Sequence, residues 1–181
     1  YLLFHTISMT FFGKYIKKGR IHLPRKLGLI GFVMVYFLIF LLGDKFITYI
    51  IPIAAAIGIF NGMYWISYHV FRFDLTHSKN RGNYAGIEKA TLIVVGIIMP
   101  VVAGFIITST ERGYPLVFLV GAVLFAIAFF VGNVDYKPKN FGEYHFWKTW
   151  KIVTKNRDIL KSNIAYMFSG IGRNGAIYRV L

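Results

Sequence analysis

Asn61, Trp65, Tyr68 and Arg72 follow one another at intervals of four, three and four residues, the repeat of a single helix face. An amide, two aromatic rings and a guanidinium on one face offer a hydrogen bond, apolar walls and a fixed charge, which is what a small-solute site needs. The same residues serve equally well in interhelical packing, with Arg72 extending its charge to an aqueous boundary. Arg173 is a second isolated charge, ten residues beyond Asn163 in an otherwise apolar stretch. An unpaired guanidinium at that depth costs several kcal/mol, so an anionic substrate or a carboxylate from elsewhere would have to offset it. A helix break at Gly170-Ile171-Gly172 would instead leave Arg173 in water. His5, Thr6 and Ser8 add polar groups near the start, best accounted for by hydrogen bonds to backbone or to neighbouring helices.

The elements that must carry these residues are apolar to an unusual degree. Of 181 residues, 56% are hydrophobic and 18% aromatic, and the mean hydropathy is +0.57, more apolar than a water-soluble domain tolerates. No ionisable side chain occurs in Leu27–Gly43, Ala90–Thr110 or Gly113–Val134, and His69 is the one exception in Phe46–Phe71. Each run approaches the ~20 residues with which a helix crosses ~30 Å of hydrocarbon. Tyr1–Gly13 and Asn163–Leu181 read as two further helices cut by the ends of the chain. The fold class is therefore all-α, a polytopic transmembrane helical bundle. Within it, the runs at 27–43 and 114–134 hold almost only aliphatic residues, Phe, Ala and Gly, and are expected to face lipid. The run containing Asn61, Tyr64, Trp65, Ser67, Tyr68 and His69, and the last one with Asn163, Tyr166, Ser169, Arg173 and Asn174, should face protein or water.

A formal net charge of +14 would suit nucleic acid, but its distribution argues for a membrane. Lys14, Lys17, Lys18, Arg20, Arg25 and Lys26 lie in the first inter-helix segment, Arg72, Lys79, Arg81 and Lys89 in the third, and seven more between Lys137 and Lys161. The two intervening segments carry Lys45 and Arg112 alone. This alternation is the positive-inside pattern, which puts segments 14–26, 72–89 and 135–161 in the cytoplasm of a multi-pass protein of the cell membrane. Anionic lipid headgroups on that face, not nucleic acid, are the expected partners of the charge. Cysteine is absent, which excludes disulfides, thiolate metal sites and cysteine nucleophiles. No metal and no cofactor are expected.

Several turns punctuate the chain. Asp44-Lys45 and Glu111-Arg112-Gly113 make short outer connections, and Asn80-Arg81-Gly82-Asn83 gives a turn signal in a polar loop at 72–86. Pro100 should kink its helix, and Gly96 and Gly104 should permit close helix approach. From Asp135 to Ser162 the composition changes to tyrosine and tryptophan among lysines. Phe146, Trp150, Val153 and Arg157 fall at helical spacing there, which predicts an amphipathic helix in the headgroup layer, a solvated linker being the alternative.

Arg81-Gly82-Asn83-Tyr84-Ala85-Gly86, followed by a helix with Pro100, Ala103 and Gly104, resembles the major facilitator superfamily, whose fourth and fifth helices are joined by R-G-x-x-x-G and whose fifth often carries G-P-x-x-G-G. Met99 replaces the glycine before the proline. The resemblance implies that residues 1–134 are the second to sixth helices of a twelve-helix protein. It implies further that 135–161 is the link between two six-helix halves, and that 162–181 begins the seventh helix. A secondary transporter of a small solute working by alternating access follows as the implied function, with the remaining helices of the same chain as partners. The implied substrate cavity would draw on Asn61, Trp65, Tyr68 and Arg173, and the substrate would be anionic if Arg173 faces it.

Two departures limit what is carried over. Lys17 stands where the family's loop after the second helix has an aspartate, and Gly58 where proton-coupled exporters have an arginine four residues before Gly62. A competing signal is the His-x4-Asp spacing of His69 and Asp74, which resembles glycerolipid acyltransferases, where the acid orients a general-base histidine. Nothing downstream resembles that family's phosphate-binding arginine block, so a membrane-embedded enzyme stands as the alternative, beside a non-transporting scaffold.

Overall fold

The computed structural model describes residues 1–17, 20–77, 79–132, 151–152, 154–158 and 160–161, with Lys17 as backbone only. Helix α1 runs Leu2–Lys17 and α2 His22–Leu42. A 3-10 segment, Gly43–Tyr49, leads into α3, Ile50–Leu75, followed by α4, Arg81–Ser109, and α5, Gly113–Val131. No strand occurs among the described residues. Helices are the physical solution in hydrocarbon because each satisfies its own backbone polar groups. Three continuous helical runs are long and apolar enough to cross a membrane: His22–Leu75, Arg81–Ser109 and Gly113–Val131. The first doubles back at the 3-10 segment, where Gly43 takes the positive φ of 53° that turns the chain. Residues 142–181 form a separate unit, of which the described part is helical turns between 151 and 161, joined by Asn156 N–H to Ile152 O and Leu160 N–H to Asn156 O. Phe146, Trp150 and Val153 of the expected amphipathic helix lie outside the described residues, as do Arg173 and its neighbours.

Helix α3 is the hub. On one side it runs parallel to α1, closely enough that a Cβ added at Gly62 would fall 2.5 Å from the His5 carbonyl oxygen and 2.7 Å from Ser8 Cβ. A Cβ at Gly58 would fall 2.6 Å from the Tyr1 carbonyl. Gly58-x-x-x-Gly62 is thus a small-residue stripe against which α1 lies backbone to backbone. Ser8 exploits the approach, its hydroxyl donating to the Ile59 carbonyl at 2.7 Å. On its other side α3 packs antiparallel to α2, whose Gly28 and Gly31 admit Phe60 and Tyr64. Val35 and Ile39 of α2 meet Ile53 of α3 in a buried cluster nearer the 3-10 segment. Helix α2 continues the sheetless layer to α5, with Phe32 stacked on Phe125 at 4.7 Å and Tyr36 edge-on to Phe118 and Phe125 at 5.8 and 5.2 Å.

Three expectations change here. Helix α2 faces lipid on one side only: Pro24, Gly28, Leu29, Gly31, Phe32, Val35 and Ile39 are buried between α3 and α5, whereas Met34, Phe37, Leu38 and Leu41 are exposed. Lipid tails are as apolar as leucine, so an all-apolar sequence does not distinguish lipid contact from protein contact. The polar stretch at 72–86 is not a loop. Helix α3 extends to Leu75 and α4 begins at Arg81, leaving a turn in which His77 N–H donates to Asn80 Oδ1 at 2.8 Å and Arg81 N–H to His77 O at 2.9 Å. A Cβ added at Gly96 or Gly104 would meet no other described element within 4 Å, and α4 has no buried residue, although it runs unbroken through Pro100.

Gly62→Leu should destabilise the full-length protein by about 1–3 kcal/mol through overpacking. Gly62→Ala, which adds a single methyl at the same contact, should cost less than Gly62→Leu. Thermal melting in detergent checks the pair, and equal shifts would contradict the α1–α3 contact.

Candidate functional site

The face predicted from Asn61, Trp65, Tyr68 and Arg72 exists on α3, but its members look to different neighbours. Asn61 faces α1. Its Nδ2 donates to the Tyr1 hydroxyl and lies 3.3 Å from His5 Nδ1, so its amide is engaged between two helices. Tyr1 and His5 are themselves stacked at 6.0 Å. One and two turns further along, Trp65 sits edge-on to Tyr68 at 5.3 Å and inclined to His69 at 5.2 Å, while Tyr64 and Tyr68 stack at 6.0 Å. These rings make a continuous aromatic strip on α3.

Tyr68 and Arg72 face α4. Arg72 Nε lies 3.1 Å from Glu88 Oε2, the two side chains being 26% and 13% exposed, and the guanidinium lies 5.8 Å from the Tyr84 ring. Tyr68 is within electrostatic reach of Glu88 and Tyr84. Glu88 Oε2 accepts no aligned hydrogen bond, so its link to Arg72 is a charge contact. No Cα of α3 comes within 8 Å of any Cα of α4. Four long side chains therefore span a gap that the backbones leave open. The sequence reading found no acid within any span, because the ionisable-free run starts only at Ala90 and Glu88 was assigned to a loop. The available signal was a matched spacing: Tyr68 and Arg72 on α3, and Tyr84 and Glu88 on α4, are both four apart, which places each pair on one helix face.

Arg81 closes the turn beneath this bridge. Its Nε donates to Thr76 Oγ1 at 3.2 Å, and Nη2 to the carbonyls of Thr76 and Phe73 at 3.1 and 3.4 Å, with the Phe73 ring 4.1 Å away. A guanidinium at the open carbonyls of a helix C-terminus satisfies acceptors that have no intrahelical partner. Gly82 and Gly86 lie in the first two turns of α4 with nothing within 4 Å.

His69 and Asp74 are not brought together. Five residues apart on one unbroken helix they point about 140° apart, and no hydrogen bond joins them; Asp74 Oδ2 is buried without a hydrogen-bond partner. No group of three or more His, Asp or Glu side chains suited to a metal occurs among the described residues.

A second feature lies at the same end of the bundle. Arg25 in the first turn of α2 donates from Nη2 to the Gly132 carbonyl just past α5, and its guanidinium lies 5.5 Å from the Phe71 ring. Beside it opens a cavity of about 170 Å³ lined by Arg25, Leu29, Tyr64, Tyr68, Phe71, Tyr84 and Ala128. Sequence reasoning counted Arg25 only as one of the basic residues of a loop.

The profile of the Major Facilitator Superfamily matches residues 1–179. The chain is similar to "Uncharacterized protein YqgE" of Bacillus subtilis (strain 168), with 31% identity over 140 residues, 71% of this chain and 33% of that protein. It is also similar to "Uncharacterized protein in sodM 3'region" of Geobacillus stearothermophilus, with 30% identity over 101 residues, 55% of this chain and 47% of that protein. The chain thus spans a third to just under half the length of these two relatives. No solved structure matches it. A family match that runs through every described helix, on an all-helical membrane-embedded bundle, identifies the chain as a member of the major facilitator superfamily.

Proposed function

We propose that the protein containing this chain is a secondary active transporter of a small solute, working by alternating access. The observation that carries the reading is membership of the superfamily along residues 1–179. In this reading α1 to α5 are the second to sixth helices, 135–161 links the two halves, and the remaining helices of the same chain complete the substrate cavity. The basic ends of the helices, with Arg20, Arg25, Lys26, Arg72, Lys79, Arg81 and Lys89, face the cytoplasm and its anionic lipids. Such a carrier keeps polar groups where they touch protein or a water-filled path rather than lipid. Trp65 and Tyr68 are its proposed contacts to a solute, since their rings meet in one aromatic strip on α3. Asn61 serves the α1–α3 contact first and reaches solute only if that contact loosens. Arg173 is proposed as a cavity residue on sequence alone, and with it an anionic solute.

In proteoliposomes of the full-length protein, uptake of the solute found by screening should saturate and show counterflow. Linear, non-saturating flux would identify a channel and overturn the reading. Trp65→Ala should lower the apparent affinity about tenfold or more if a stacked contact worth about 1.4 kcal/mol is lost, and unchanged kinetics would remove Trp65 from the site.

The Arg72–Glu88 bridge has its own test. Neutralising either partner leaves the other charge half-buried, so Arg72→Gln and Glu88→Gln should each destabilise the protein, and the double variant should cost less than their sum. A thermal-melting double-mutant cycle with strictly additive effects would show the two to be uncoupled.

A further inference from the structure

We propose that the cavity beside Arg25 is a binding site for a phosphate group, carried by a lipid headgroup or by a free anion. Its lining comes from the basic ends of four helices. Arg25 is in the first turn of α2, Phe71 in the last turns of α3, Tyr84 in the first turn of α4 and Ala128 in the last turn of α5. Tyr64 lies seven residues before Phe71, about 10 Å deeper along α3, so the cavity leads inward from that end.

The chemistry of the lining is one-sided. Three tyrosines and one guanidinium supply its polar groups, and no carboxylate is among them. Tyr64 is within electrostatic reach of both Arg25 and Tyr84, which places these side chains around one space. Among the described residues the one ion pair is Arg72–Glu88, which commits that acid to a different arginine. Arg25 commits an Nη2 donor to the Gly132 carbonyl and, among the described residues, has no carboxylate partner for the rest of its five-donor fork. A half-buried guanidinium in that position is incomplete without an anion. A planar fork pairs best with carboxylate or phosphate, and phenol hydroxyls donate to the remaining oxygens.

Size and position narrow the ligand. At about 170 Å³ the cavity is below the range of a drug-sized solute, and it accommodates a phosphate with its ester oxygens. It opens at the basic end of the bundle, where pockets between transmembrane helices meet anionic headgroups. The site shares Tyr68 with the proposed solute contacts, and an anion there would tie α2 and α3 to α4, across the gap that Arg72 and Glu88 span.

The test uses the full-length protein in two arms. In the first, it is reconstituted in phosphatidylcholine vesicles with a minority of phosphatidylglycerol, re-extracted gently, and its retained lipid is quantified by mass spectrometry. In the second, it is held in phosphatidylcholine alone, and the rise in melting temperature with inorganic phosphate is measured. Arg25→Gln should lower phosphatidylglycerol retention, or weaken the phosphate response, by about tenfold, the value of one lost charge-assisted contact. Lys26→Gln removes the same charge from the neighbouring position, which does not line the cavity, and should behave as wild type. An effect in the first arm alone identifies a headgroup site, and one in the second identifies a free-anion site. If Arg25→Gln does not fold, Tyr84→Phe takes its place, with a smaller loss in the same direction. Equal losses in Lys26→Gln, or a folded pocket variant matching wild type in both arms, would overturn the proposal.

Discussion

Hydrocarbon offers a helix no reward for exchanging lipid contact for protein contact, so this bundle depends on close backbone approach at α3. Gly58 and Gly62 let α1 lie against it, and Gly28 and Gly31 of α2 let Phe60 and Tyr64 of α3 seat on the other side. What these approaches gain is dispersion contact and a few well-placed polar bonds, such as Ser8 to the Ile59 carbonyl, rather than hydrophobic burial. The positions of α2 and, through its aromatic stack, α5 follow from α3. Helix α4 follows from nothing of the kind. It has no small-residue contact with α3 and is tied back through its turn, through α5 and through long side chains.

That difference gives the polar residues two kinds of work. On the tightly packed side, Asn61, Tyr1, His5 and Ser8 fasten α1 to α3 over short distances. On the open side, Tyr68, Arg72, Tyr84 and Glu88 bridge a gap too wide for backbone contact, with Arg81 closing the turn below. A joint made of long side chains and one ion pair yields more readily than glycine-mediated packing, because its geometry depends on a few contacts rather than on continuous interdigitation. The basic residues also separate: Arg72 is matched by Glu88, Arg81 by helix carbonyls, and Arg25 pairs with no acid among the described residues.

Membrane embedding, the helices within residues 1–134 and the turns near Asp44, Asn80 and Arg112 were legible in the sequence, because unbroken apolar runs and their interruptions are local properties. So was the family, through Arg81-Gly82 and Pro100-Gly104, although in the structure Arg81 and Gly82 open α4 rather than standing in a loop. Helix ends were misread where polar residues continue a helix into the headgroup region: composition marks the edge of the hydrocarbon, whereas hydrogen bonding marks the edge of the helix. Glu88 was lost through that difference. That α2 also packs on protein was hidden for a related reason, since in a membrane both its lipid side and its packed side are apolar.

The sequence by itself determined that this chain is a set of membrane-crossing helices with one strongly basic end, because hydropathy and charge act residue by residue against the bilayer. Only the tertiary structure decided which glycines are contacts, which acid meets which arginine, and that Asn61 and Tyr68, on one face of α3, serve different partners. Those outcomes depend on which helices become neighbours, and a one-dimensional pattern of 3.6-residue periods does not encode that choice.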